Sequence, residues 1–235
     1  MVHFTVASPA DLSPARQPPA HRMTATPPLL EVFFDCSSPW TYLAFHNLRA
    51  LSRELGVPVR WRPILVGGIF NAVNPSVYAF REHGVPAKQA YARKDLQDWA
   101  RHTGLAIRFP PSVFPVNSVK AMRGCLWLEP QGRLEPFAQA MFEAYFRDDR
   151  DVSQDAVLAD ICRGLGLDAA AFAAGIATPE VKAHLKANTD EAIARGAFGS
   201  PTIFVGGDDL YFGNDRLPLV RAALLQRLAA NRADA

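Results

Sequence analysis

Glu31-Val32-Phe33-Phe34-Asp35-Cys36-Ser37-Ser38-Pro39-Trp40-Thr41-Tyr42 is the stretch that decides how this chain folds. The apolar run Leu29, Leu30, Val32, Phe33 and Phe34 predicts a short buried strand, because β-branched and aromatic residues cluster there and polar residues stop it. Ser38-Pro39 predicts a helix start: a Ser hydroxyl accepts from a free backbone N–H, and Pro fits the first helical position because it has no N–H to lose. Leu43, Ala44, Leu48, Leu51 and Leu55 follow at spacings of three and four, so the helix runs from about Pro39 to Glu54. The Ser38 hydroxyl therefore stands at a helix N-terminus, where partly positive N–H groups favour an anion. Such a place suits a thiolate, a carboxylate or a phosphate.

The remaining composition bounds what surrounds that unit. At 235 residues and 49% hydrophobic, with a net charge of +2, the chain is long and apolar enough to bury a real core. Its Arg and Lys are scattered. There is no basic stripe with interleaved aromatics, which argues against nucleic acid as a partner. No apolar run approaches the roughly 20 residues of a membrane helix, so a soluble protein is expected. Cys36, Cys125 and Cys162 are too few and too far apart for a disulfide framework, and their odd number suits a reducing cytoplasm. The six His are dispersed, so no metal site is expected. Residues 1–28 are rich in Pro and Ala without periodicity and read as a disordered leader, not a secretory signal.

Along the rest of the chain, Val57, Val59 and Trp61 alternate with polar residues and predict a second strand ended by Gly67-Gly68. With the first strand and helix this makes a βαβ unit. From about 70 to 196 little reads as strand. Ala87–His102, Val116–Trp127, Leu134–Arg147, Gln154–Leu165 and Pro179–Arg195 show helical apolar spacing, with Ser153 and Asp168 as candidate N-caps and Gly104, Gly166 and Gly196 as stops. Strand character returns in Thr202-Ile203-Phe204-Val205. Gly206-Gly207-Asp208-Asp209 predicts a turn, Leu210-Tyr211-Phe212 a hairpin partner, and Arg216–Leu228 a closing amphipathic helix. The order β-α-β, helical block, β-β-α is a thioredoxin-like α/β arrangement with a large all-helical insertion. The expected parts are 29–66 with 197–231 for the thioredoxin-like domain, and 67–196 for the insertion.

On these residues the chain resembles the DsbA-like branch of the thioredoxin superfamily, over roughly 29 to 230. Within that branch it resembles the 2-hydroxychromene-2-carboxylate isomerases and the related kappa-class glutathione transferases. Disulfide oxidoreductases of this fold carry Cys-Pro-x-Cys where this chain has Ser38-Pro39-Trp40-Thr41. Both sulfurs are absent, so dithiol exchange, which needs an attacking thiolate, has no nucleophile there. The resemblance implies that Ser38 hydrogen-bonds the sulfur of bound glutathione; its bland alternative is a plain helix cap. It further implies a cis-Pro at Pro201, with Ser200 pairing its backbone with the cysteinyl part of glutathione, against the plainer reading of a Pro opening a strand. Asn214 and Asp215 are good N-cap residues by physics; by resemblance their segment meets the γ-glutamyl end, where a carboxylate pairs with an ammonium. Asn74, Val116 and Asn117 match further cofactor contacts of the families.

Tyr91 and Trp99, two helical turns apart in a helix that resembles one of the isomerases, read as core more readily than as pocket. Cys36 reads as a small buried apolar residue, with a peroxidatic thiol as the rival. Arg123 has the chemistry to meet a carboxylate, or to serve as an ordinary structural Arg. The activity implied by resemblance is glutathione-dependent conversion of 2-hydroxychromene-2-carboxylate to trans-o-hydroxybenzylidenepyruvate, or of a related small aromatic catabolite, by a cytoplasmic homodimer. A kappa-like transferase or peroxidase is the first alternative. A non-catalytic DsbA-like binding domain is the second.

Overall fold

The computed structural model describes residues 27–233. Of the predicted leader, residues 1–26 lie outside the described residues. β1 (Leu30–Phe34) is buried along its whole length. It pairs in parallel with β2 (Val59–Pro63) and antiparallel with β3 (Thr202–Val205). β3 pairs antiparallel with β4 (Asp209–Phe212), giving the order β2-β1-β3-β4. β1 is thus an inner strand, which explains why it reads as an unbroken apolar run. α1 (Pro39–Leu55) leaves its C-terminal end. Ser38 Oγ accepts the Thr41 N–H, Pro39 opens the helix, and Gly56 closes it in the left-handed region at φ 65°.

Between β2 and β3 the regular elements of the described chain are all helical: α2 (Val66–Val73), α3 (Ser76–His83), α4 (Pro86–Thr103), α5 (Val119–Leu128), α6 (Leu134–Phe142), α7 (Asp155–Gly164), α8 (Ala169–Gly175) and α9 (Pro179–Ala194). α10 (Leu217–Ala233) follows a short turn at Asn214–Arg216. The aromatic core runs unbroken from the sheet into these helices. Phe34 and Phe45 pack on Trp61, with ring centroids 5.5 and 4.5 Å away, and Tyr42 of α1 stacks on Phe142 of α6 at 5.0 Å. Among the described residues no helix is long and apolar enough to cross a membrane.

Several boundaries differ from the sequence reading, each for a local reason. α5 starts at Val119 rather than Val116, because the Asn117 side chain takes the Val119 N–H at 3.1 Å and closes a turn of its own. Ser153 does not cap α7. Its hydroxyl and N–H both go back to the Asp151 carboxylate, at 2.6 and 3.0 Å, a stronger acceptor than a helix end needs. α6 ends at Phe142 and passes into a wider π-turn over Glu143–Arg147. α10 begins at Leu217, with Asn214 and Asp215 in the preceding turn. Asp168 does cap α8, accepting from Ala170 and Ala171. α2, α3 and α8 escaped the sequence reading. α2 is only eight residues long and opens on the Gly67-Gly68 pair that reads as a strand end, α3 buries no side chain, and α8 is nearly all Ala.

Candidate active site

The C-terminal end of β1 is where backbone and side-chain groups from distant segments converge. Ser38 sits partly exposed at the start of α1. Its Oγ accepts the Thr41 N–H at 3.2 Å while its hydroxyl donates to the Ser200 carbonyl at 3.1 Å. The Ser200–Pro201 peptide is cis. The Ser200 hydroxyl is buried between the Asp35 N–H, 2.9 Å away, and the Thr41 hydroxyl, 2.8 Å away. The helix start and the Pro201 loop, far apart in sequence, are therefore held face to face by three side-chain oxygens.

Asp35 stands behind them, buried. One carboxylate oxygen takes the Ser37 N–H at 2.9 Å; the other takes the Val66 N–H at 2.9 Å and the Ser118 hydroxyl at 3.0 Å. A single carboxyl so ties the turn before α1 to the first residue of α2 and to the residue before α5. Burial raises its pKa above the ordinary carboxylate value, and the three donors oppose that. Sequence reasoning passed over Asp35, Thr41 and Ser118. The available signal was a lone acid at the carboxyl end of an otherwise apolar strand, the end where open α/β sheets place their ligands.

The other expected site residues divide. Asn74 lies beside this centre in the loop after α2, its Nδ2 donating to the Phe198 carbonyl at 3.0 Å. Val116 is buried, and Asn117 is exposed with its Oδ1 turned back on Val119. Asn214 is 2% exposed, and its Oδ1 accepts from Asn47 of α1 at 2.8 Å. Its side chain thus faces the interior. Gly213, just before it, donates its N–H to the Pro201 carbonyl at 3.3 Å. Asp215 is exposed and pairs with its neighbour Arg216 at 3.3 Å. Tyr91 is 64% exposed, contrary to the core reading, whereas Trp99 packs against the core edge-on to His102. Arg123 buries an Nε that has no hydrogen-bond partner.

Cys36 is fully buried, its N–H directed at the Met122 sulfur at 3.3 Å. Burial, and next the nearby Asp35 charge, push its thiol well above the ordinary range. A nucleophilic sulfur needs the opposite shift, so the peroxidatic reading of Cys36 fails. Two clefts lie away from this centre. One of about 780 Å³ opens at the other end of β1, between Pro28, Trp61 and Glu135, and another of about 410 Å³ lies between Asn47, Trp99 and Arg221.

This sheet order, with a capped helix facing a cis-Pro loop, defines a thioredoxin-type protein. A family model described as a DSBA-like thioredoxin domain matches residues 29–225, and the chain belongs to that family. More particularly, it is 27% identical over 206 residues to a 2-hydroxychromene-2-carboxylate isomerase of Pseudomonas putida, covering 88% of this chain and 98% of the relative. It is likewise 27% identical over 210 residues to human glutathione S-transferase kappa 1, covering 84% and 91%. A solved structure of a 2-hydroxychromene-2-carboxylate isomerase superposes with a TM-score of 0.75 at 27% identity, covering 88% of this chain and 98% of that one.

Proposed function

We propose that this protein is a glutathione-dependent isomerase acting on 2-hydroxychromene-2-carboxylate or a related small aromatic acid. One observation carries the reading. At the helix start where a dithiol would stand there is a hydroxyl, Ser38, whose proton is held only by the Ser200 carbonyl. The residues present fit a glutathione thiol there: a hydroxyl at a helix N-terminus facing a cis-Pro loop, with an exposed carboxylate, Asp215, at the neighbouring turn. Bound glutathione would supply the nucleophilic sulfur and be regenerated.

The chain's own part is to tune and hold that sulfur. Ser38 turns its hydroxyl from the Ser200 carbonyl to the thiolate, and the N-terminus of α1 adds favourable potential; both lower a thiol pKa that is near 8.5 when unperturbed. The freed Ser200 carbonyl then accepts from the cysteinyl amide, which keeps that acceptor satisfied. Asp215 pairs with the γ-glutamyl ammonium. Thr41, Ser200 and Asp35 touch neither sulfur nor substrate in this scheme; they fix the distance between the helix start and the loop. Soluble, cytoplasmic and homodimeric behaviour accompanies this reading.

The test is isomerisation of 2-hydroxychromene-2-carboxylate followed by absorbance, with and without glutathione, on wild type and Ser38→Ala. Glutathione-dependent turnover that drops about tenfold to a hundredfold in the variant is expected, the worth of one hydrogen bond to a charged group. Turnover indifferent to glutathione would overturn the reading. A kappa-type transferase is the second reading, favoured by the equal identity to the human kappa relative. It predicts saturable glutathione binding and conjugation of an electrophile without isomerisation.

A further inference from the structure

Arg81, near the end of α3, lies among aromatic rings and pairs with no acid among the described residues. Its guanidinium carbon is 5.2 Å from the centroid of Phe114, 5.7 Å from Phe70 and 6.0 Å from Tyr78. Among the described residues no carboxylate lies within ion-pairing distance of it; the adjacent Glu82 faces His83 at 3.7 Å instead. Its charge is met by ring faces alone, which attract a cation but leave its in-plane N–H donors open to a bidentate acceptor.

The rings that hold Arg81 belong to the arms that flank the Ser38 centre. Phe70 is on α2, whose first N–H is bound by Asp35, and Phe114 precedes the 115–118 segment, whose Ser118 hydroxyl is bound by the same carboxyl. Phe70 and Phe212 also close on Gly199, immediately before Ser200. A Cβ placed there would come within 2.8 Å of Phe212 and 3.8 Å of Phe70. Phe198 packs on Phe212 at 4.4 Å, and both are partly exposed. An apolar aromatic surface thus leads from the Pro201 loop to a guanidinium without a counter-charge.

We propose that Arg81 receives the carboxylate of the acceptor, a flat organic acid whose body rests on Phe70 and Phe114 while its electrophilic carbon faces the sulfur at Ser38. This rests on the glutathione reading only for the position of the sulfur. The juxtaposition of Arg81 with Phe70 and Phe114 stands without it. It separates two chemistries that the fold alone leaves together, since a neutral electrophile has no use for Arg81.

The test needs no turnover. Binding of coumarin-3-carboxylate and of its neutral amide, without glutathione, is titrated on wild type, Arg81→Gln and Arg81→Lys. Glutathione affinity is measured on the same proteins. The expected result is a carboxylate affinity about tenfold or more weaker in Arg81→Gln and partly recovered in Arg81→Lys, with the amide unchanged. Glutathione affinity stays within about twofold of wild type. Equal losses for acid and amide would reduce Arg81 to a packing role and overturn the proposal. A loss confined to glutathione would assign Arg81 to the glycyl carboxylate of that peptide, and would overturn it equally. Absence of glutathione binding in wild type, with the carboxylate result intact, would sink the functional reading and leave Arg81 standing.

Discussion

The two ends of β1 make a useful contrast. At its N-terminal end a cleft of about 780 Å³ is lined by Pro28, Arg49, Trp61 and Glu135. Its polar groups are already spent on one another: Glu135 accepts from the Trp61 indole at 3.0 Å and from Arg49 at 3.1 Å. At the C-terminal end a helix start, a cis-Pro loop and a buried acid meet, and the Ser38 hydroxyl is held by one carbonyl that a ligand can replace. The proposed site thus rests on the convergence of exchangeable hydrogen bonds at a helix N-terminus, not on cleft volume.

The largest effect should come from removing the node behind that end. Asp35→Ala strands a buried Ser37 N–H, Val66 N–H and Ser118 hydroxyl, so unfolding by denaturant should show a loss of about 3 kcal/mol or more. An unchanged midpoint would show that these three groups are held by something else. Ser38→Ala comes next. Its stability loss should be modest, about 1 kcal/mol for a lost N-cap, whereas its glutathione-dependent turnover falls far more; equal small losses in both would reduce Ser38 to a cap.

A pH dependence sharpens the contrast further. Burial raises the Asp35 pKa, so folding favours its protonated form. That contribution is present in acid and is lost as the pH rises through the raised value. Asp35→Asn does not titrate, so the stability of wild type relative to this variant should shrink as the pH rises from the ordinary carboxylate range. A gap that widens instead would reverse the assignment. The smallest effect belongs to the opposite end. Glu135→Gln keeps an acceptor for Trp61 and gives up one partly exposed ion pair with Arg49, so it should cost under about 1 kcal/mol and leave turnover at the wild-type rate.

How much of this was legible in the sequence follows the same division. The strand, the Ser-Pro helix start and the hairpin are written in local patterns, and they appear where those patterns put them. The cis peptide before Pro201 came from family resemblance, because nothing local distinguishes it from a Pro that merely opens a strand. The helical block was legible as helical but not in detail: α3 buries nothing and α8 is Ala-rich, so neither carries a period. Asp35 and Arg81 were missed for a different reason. Asp35 acquires meaning only when Val66 and Ser118, distant in sequence, close on it, and Arg81 only when Phe70 and Phe114 do. Asn214 shows the converse: a residue that reads as a surface cap is turned inward onto Asn47 by tertiary packing.

The most direct measurement is the titration of the bound glutathione thiol, followed by thiolate ultraviolet absorbance in wild type and Ser38→Ala. The account predicts an apparent pKa below the free-thiol value near 8.5 in wild type and a return toward it in the variant. Identical titrations in the two proteins, with glutathione bound in both, would contradict it.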